Sequence, residues 1–285
     1  MSSEVVYDAD AALTAQLLQG ISKEARIGLV APLFYEHVQI GPNPLTDKVS
    51  KNPTTSDAGT LTDGTAMTNT GYNPTAVTAA ATSGIGLYGT LTKFATDGSM
   101  QSFDEVSANF VRALINKMDV DGCSLLDNLD GAAGTSATDL GVGDILNGIL
   151  DLNEAAEMGN RVMVIDPLQV YDLQNAIVAS SAPVWSVEAL YAGFLNANQS
   201  SAFQGTLFGI PIYMTPNVVD DATNKIGGLF VANRALRWAW KWKPTVQSIG
   251  APSFGADAFT FSASAAYGFV EVWGAAGVAV TSGNT

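Results

Sequence analysis

One stretch limits the architecture of this chain more than any other. Residues 102–131 open on Ser102-Phe103-Asp104-Glu105, carry apolar side chains at Val106, Phe110, Leu114, Met118, Leu125 and Leu129, and close on Asp130-Gly131. Ser102 with Glu105 is a capping box, which satisfies free amides at a helix start. Gly131 suits the left-handed residue just past a helix end. Val111, Ile115 and Leu126 widen the stripe, as in a helix lying against a sheet or core. The spacing predicts one helix over Ser102–Asp130, about 40 Å long at 1.5 Å per residue, with Gly122 as its weak link. A helix of that length, with a Thr-rich tract before it and strands after it, implies a scaffold.

The chain has 285 residues, 47% of them hydrophobic, enough for one large or two modest domains with a real core. Its net charge of −14 disfavours non-specific adhesion to DNA or anionic membranes. Cys123 is the single cysteine, so no intramolecular disulfide forms; its place in the helix beside Leu125 makes it a small buried hydrophobe. The opening Met1-Ser2-Ser3-Glu4 is acidic, unlike a cationic secretion leader, and synthesis in the cytosol is expected. Residues 265–280 are the most apolar tract but contain Glu271 and three glycines, which favours strands over a membrane span.

Residues 10–20 predict a short amphipathic helix with Leu13, Leu17 and Leu18 on one side. Alone it would be marginal, so it is expected to dock on something such as a neighbouring copy. Residues 27–38 read as an apolar strand bent at Pro32. From Gly41 to Ser83 turn formers and threonine dominate and large apolar residues are scarce. The tract is too long for an ordinary loop, leaving either a disordered linker or a long hairpin held by other subunits. Thr60, Thr62 and Thr65, placed around Asp63-Gly64, offer a hairpin tip. Beyond Lys48 and Lys51, residues 84–93 return to a strand pattern leading into the long helix.

After Gly131, residues 132–136 read as a flexible turn, and a second helix is expected over 144–158. Residues 161–167 form a buried strand closed by Asp166-Pro167, with Pro167 in the first turn of the next helix. A helix is expected over 184–196 and a strand pair around Gly209. A long strand is expected over Leu229–Lys243, and two or three more over 259–281. Without regular βαβ alternation, the fold class is α+β.

Chemistry is hard to find. His37 is the only histidine, which excludes any site needing two. No nucleophile elbow or phosphate loop occurs. Gly84, Gly86 and Gly89 match a dinucleotide motif literally but lack its strand–turn–helix context. Asp119 and Asp121 open like a calcium loop, yet Cys123 stands at the third ligand position and no glutamate closes it; a solvated helix face is the preferred reading. Asp220-Asp221 reads as an ordinary turn, and Asn198-Gln199-Ser200 as a glycosylation acceptor in form only. No catalytic residue, cofactor or metal ligand is assigned.

The most unusual local pattern is residues 234–243. With period two, Trp238, Trp240 and Trp242 share one strand face while Arg237, Lys241 and Lys243 share the other. Aromatics interleaved with cations could stack on single-stranded nucleic acid. The alternative, a tryptophan face packed on helices and a basic face paired with acids, is preferred.

The ordered set of these parts resembles the major capsid protein of tailed bacteriophages, the Hong Kong 97-type fold. The residues that carry the resemblance are the long capped helix, Val162-Met-Val-Ile-Asp-Pro167 with Tyr171 and Leu173, Gly205-Thr-Leu-Phe-Gly-Ile-Pro-Ile-Tyr213, Tyr267-Gly-Phe-Val-Glu-Val272 and Val278-Ala-Val-Thr281. The resemblance implies an N-terminal arm (1–44), an extended E-loop hairpin (45–83) and a P-domain with its spine helix (84–131). It further implies an A-domain (132–229) and C-terminal strands returning to A- and P-domains (230–285). It also implies a structural subunit forming hexamers and pentamers of an icosahedral virion shell around double-stranded DNA, assembled in the host cytoplasm, not a membrane. The DNA would be enclosed without sequence-specific contact, and scaffolding, portal and decoration proteins would be the other partners. Inter-subunit contacts are then expected at Leu13, Leu17, Lys48, Lys51, Thr60, Asp63, Gly64, Arg234 and Arg237. The alternatives are an encapsulin-like compartment and, in another class, a hydrolase or small-molecule-binding enzyme.

Overall fold

The computed structural model describes residues 29–41, 46–51, 75–81, 83–92, 103–155, 157–179, 202–250 and 258–284. The expected helices over 10–20 and 184–196, the Ser102 cap, the hairpin tip at 60–64 and the Asn198 motif lie outside them. Within them the chain forms two sheets, a separate ribbon and three α-helices.

The first sheet has the order β1 (Glu36–Gln39), β11 (Leu236–Gly250), β12 (Ala258–Glu271), β4 (Ser83–Thr92). β1 runs parallel to β11 with His37 opposite Trp238, and the remaining pairs are antiparallel. The second sheet has the order β5 (Gly131–Gly134), β13 (Gly277–Gly283), β10 (Asn224–Val231), β6 (Arg161–Ile165), β8 (Ile210–Met214), β7 (Phe203–Leu207), with β9 (Val219–Asp220) also on β10. β2 (Thr46–Lys51) and β3 (Thr75–Ala80) make an antiparallel ribbon, Thr46 opposite Ala80 and Lys51 opposite Thr75. The Thr-rich tract is therefore a hairpin at its root.

Helix α1 (Phe103–Cys123) joins the two sheets. Leu114, Ile115 and Met118 pack with Tyr267, Ala263 and Ala265 of the first sheet. Cys123, then Leu126 and Leu129 just beyond it, pack with Val162, Val164 and Phe230 of the second. Leu114, Ile115, Met118, Leu126 and Leu129 of the expected stripe are buried, but the helix is shorter: it ends at Cys123, and a 3-10 turn (Leu126–Asn128) follows. Its length is thus about 30 Å. Gly131 does not cap it. Gly131 opens β5 against Val278, where a Cβ would come within 2.7 Å of Val278 Cγ2. The stretch after it, expected as a flexible turn, is held extended by parallel pairing of Ala132 with Ala279 and Ala133 with Val280. Gly122 is no weak link, because a Cβ there would meet Pro32 Cγ at 2.7 Å; the glycine lets the 3-10 turn Ala31–Phe34 sit on the helix.

Helices α2 (Val142–Glu154) and α3 (Pro167–Ala179) cover one face of the second sheet, with Ile145, Leu152, Val170, Leu173 and Ile177 packed on Met163, Ile165, Ile212, Leu229 and Val280. Asp144 accepts a 2.8 Å bond from the Gly141 amide at the start of α2, and Asp166 accepts one of 2.8 Å from Leu168 at the start of α3. β7 and β8 turn through Phe208 and Gly209, with φ of 53° and 78°, the left-handed pair of a tight hairpin. The single strand expected over Leu229–Lys243 is instead two strands in different sheets. Asn233, at φ 59°, turns the chain between β10 and β11, a conformation asparagine tolerates better than most residues.

Candidate functional site

Two constructions in this molecule place charged or projecting groups where they act on the whole. The first centres on Asp119, one position past Met118 on α1 and completely buried. Its Oδ1 accepts the Val30 and Ala31 amides at 2.9 and 3.2 Å. Its Oδ2 accepts the Thr215 hydroxyl at 2.7 Å and the Asn217 side-chain amide at 3.0 Å. One carboxylate thus ties the segment entering the first sheet, the helix and the loop leaving β8. Four donors satisfy a buried acid that no cation reaches in this set of bonds. The sequence reading of Asp119 as part of a solvated face is corrected: its partners lie about ninety residues away on either side. The available signal was its spacing, four residues after Ile115 and three before Gly122, within the apolar stripe.

Around this carboxylate, Tyr35 donates a 2.8 Å bond to the Gly122 carbonyl. Burial pushes the Tyr35 phenol well above its ordinary range, with Cys123 and Asp119 adding to the shift. Burial likewise raises the Cys123 thiol, reinforced by Asp119, so it stays a protonated core side chain. Tyr267 donates to Asp121 Oδ2 at 2.9 Å, and its phenol is raised by burial and then by that bond.

The second construction is the root of the β2–β3 ribbon. Ala79 and Ala81 are buried with Ile40 and Ala239 on the first sheet. Gly268 of β12 faces the Ala80 carbonyl so closely that a Cβ would fall 1.9 Å from the oxygen. Beyond this root the ribbon extends to Lys51 and Thr75. Lys48 is exposed, opposite Thr78. Leu13, Leu17, Thr60, Asp63 and Gly64 lie outside the described residues.

Arg237 is bound to Glu36 at 2.7 Å across the β1–β11 pair. Arg234, 57% exposed, reaches Glu157 at 2.9 Å. Trp238 and Trp240 pack against the α1 side of the first sheet, and Ala239 on the opposite face packs beneath β3. Register shifts between Trp240 and Trp242, and again before Thr245, break the strict alternation. Trp238 and Trp240 are half-buried against the core, whereas Trp242, beyond the first shift, is exposed. His37 packs against Trp238 with ring centroids 4.9 Å apart and the planes tilted by 57°, and bonds the Pro32 carbonyl at 3.1 Å. In the Asp220-Asp221 turn, Asp221 accepts the Thr223 and Asn224 amides. Among the described residues no cluster of three or more metal-ligating side chains occurs, and no helix is long and apolar enough to cross a membrane.

Two sheets joined by one helix, with a ribbon rooted on the outer face of the first, is the Hong Kong 97-type capsid fold. A structure of Mycobacterium phage Che8 superposes with a TM-score of 0.64 at 17% identity, covering 84% of this chain and 85% of that one. A virus-like particle from Pyrococcus furiosus gives 0.61 at 14% identity over 95% of this chain and 99% of the other. The holo-SrpI encapsulin complex from Synechococcus elongatus gives 0.58 at 10% identity, covering 86% and 84%. No protein-family model and no curated protein matches the sequence.

Proposed function

We propose that this chain is the major capsid subunit of a tailed phage, a structural protein without catalytic role whose copies close into an icosahedral shell of hexamers and pentamers around double-stranded DNA. The observation that carries this reading is the β2–β3 ribbon, rooted on Gly268 within a capsid fold. A two-stranded ribbon is marginal by itself and gains stability by lying on another surface. In this reading residues 1–44 are the arm, 45–83 the E-loop, 84–131 the P-domain with its spine, 132–229 the A-domain and 230–285 the returning strands. The contacts between subunits then fall to the ribbon, through Lys48, Lys51, Thr60, Asp63 and Gly64, to Leu13 and Leu17 of the arm, and to Arg234 and Arg237. The net charge of −14 would limit adhesion to the enclosed DNA. Assembly in the host cytoplasm, with scaffolding, portal and decoration proteins, belongs to the same proposal.

Electron microscopy of the purified protein tests it: shells, or rings of five or six, are expected, and a persistent monomer would overturn it. A variant lacking residues 52–70 should remain folded and fail to assemble; normal shells from that variant would refute the role given to the ribbon. The likeness to an encapsulin supports a second reading, a compartment around a cargo protein. Native particles that co-purify with DNA and a portal favour the phage head. Particles that retain a cargo enzyme favour the compartment.

A further inference from the structure

The two edges of the first sheet are built differently. On one side β11 is paired with β1 as far as Trp240; beyond that it carries Lys241, Lys243 and Pro244 and loses register with β12 twice. Charge, proline and irregular pairing are the devices by which an edge strand refuses a second partner. Strand β2 of the ribbon is guarded too, by Asp47, Lys48 and Lys51. At the far side of the sheet β4 has none of these. Ser83-Gly-Ile-Gly-Leu-Tyr-Gly-Thr-Leu-Thr92 contains no charge and no proline, and it pairs with β12 residue by residue without a shift. Among the described residues no strand pairs with its outer side, and none of its residues bonds another segment.

Alternate residues of an antiparallel edge strand turn both N–H and C=O outward, so about five residues of β4 present an unsatisfied row. The side chains along that row are unfinished in the same way. Ile85 and Leu87 pack on the core beneath α1, with Leu114, Ile115 and Tyr267, yet both stay half-exposed. On the opposite face Gly84 and Gly86 are exposed, and a Cβ at Gly84 would meet nothing within 4 Å. A strand laid along β4 would continue the sheet and close that core.

We infer that β4 pairs antiparallel with β4 of a second copy of this chain across a two-fold axis, joining the four-stranded sheets of both copies into one. The edge selects an extended backbone, and its chemistry selects the copy. β4 is the longest uncharged strand among the described ones, so two copies matched along it place no charge opposite another, although the net charge of −14 makes the chains repel elsewhere. The two-fold also sets Ile85 and Leu87 of both copies on one face, where each copy closes the other's core. The inference rests on the shell reading and adds to it the contact between rings. Head-to-tail contacts close a ring, whereas a self-complementary contact about a two-fold joins one ring to the next.

The test uses the full-length chain. A two-fold axis sets the residue lying on it opposite itself. Single cysteines introduced one at a time along residues 84–91 should therefore give covalent dimers when assembled particles are mildly oxidised, with a sharp maximum at one position. Cys123 is buried and does not contribute. Particles that give no dimer, or the same amount at every position, would overturn the contact while leaving the shell reading intact. Gly84→Lys with Gly86→Lys gives β4 the kind of guard that β11 carries. This variant should keep the parent's circular dichroism and still form rings, with about a tenfold loss of closed shells by electron microscopy. Undiminished shells would overturn the contact, and if the variant does not fold the cysteine scan decides. A parent chain that stops at a dimer cross-linked through β4 fails the shell reading and keeps this contact; a persistent monomer fails both.

Discussion

Gly268 and Ala80 meet backbone to backbone: a Cβ placed on Gly268 would stand 1.9 Å from the Ala80 carbonyl oxygen and 2.8 Å from its carbon. No side-chain rotation relieves a clash with main chain. Gly268→Ala should therefore lift β3 from the first sheet or shift β12. It should cost about 2 kcal/mol or more of stability, in the range of strain from overpacking. Urea denaturation gives the cost, and increased proteolysis between residues 46 and 81 would show that the ribbon root is what moved.

Asp119→Ala should be among the most damaging single changes in the molecule. It leaves four donors without an acceptor, three of them buried, and each buried one is worth roughly 1–3 kcal/mol. Asp119→Asn keeps an acceptor for the Val30 and Ala31 amides and presents an amide donor to Thr215 and Asn217. It should cost about half as much. Equal loss in both variants by urea denaturation would contradict the division of the four bonds between the two oxygens.

Leu114→Asp should prevent folding. Leu114 is buried between α1 and the first sheet, and an unpaired carboxylate there costs several kcal/mol, about 4 or more. Expression as soluble, cooperatively unfolding protein would count against the packing described.

Alkaline pH should weaken the fold through Tyr35. Its phenol is raised in the folded chain, so the folded state keeps a proton that the unfolded state gives up above its ordinary value of 10.0. The stability it contributes is whole below pH 10 and is lost as pH rises beyond it. The slope is about 1.4 kcal/mol per pH unit for one such group. Urea midpoints at successive pH values from 9 to 11 measure this, and Tyr35→Phe should flatten the decline at the expense of the bond to Gly122.

Much of the fold was legible because it depends on local chemistry. Asp166-Pro167 starts the helix after β6, Phe208-Gly209 makes a tight turn, and Leu114, Ile115 and Met118 repeat at helical spacing. What the sequence concealed depends on partners distant along the chain. Gly131 looks like a helix stop until Val278 is placed beside it. The break at Asn233 is invisible in a run as apolar as 229–243. Asp119 resembles a surface acid because nothing nearby shows that residues 30, 31, 215 and 217 converge on it.

β13 has a consequence in time. It lies between β5 and β10 in the second sheet, yet it leaves the ribosome after both of them. Until Val278 and Val280 arrive, β5 has no neighbour and α2 stands over an incomplete floor. A nascent chain therefore cannot present a finished second sheet, and the long-range pairing that completes it is slow to form.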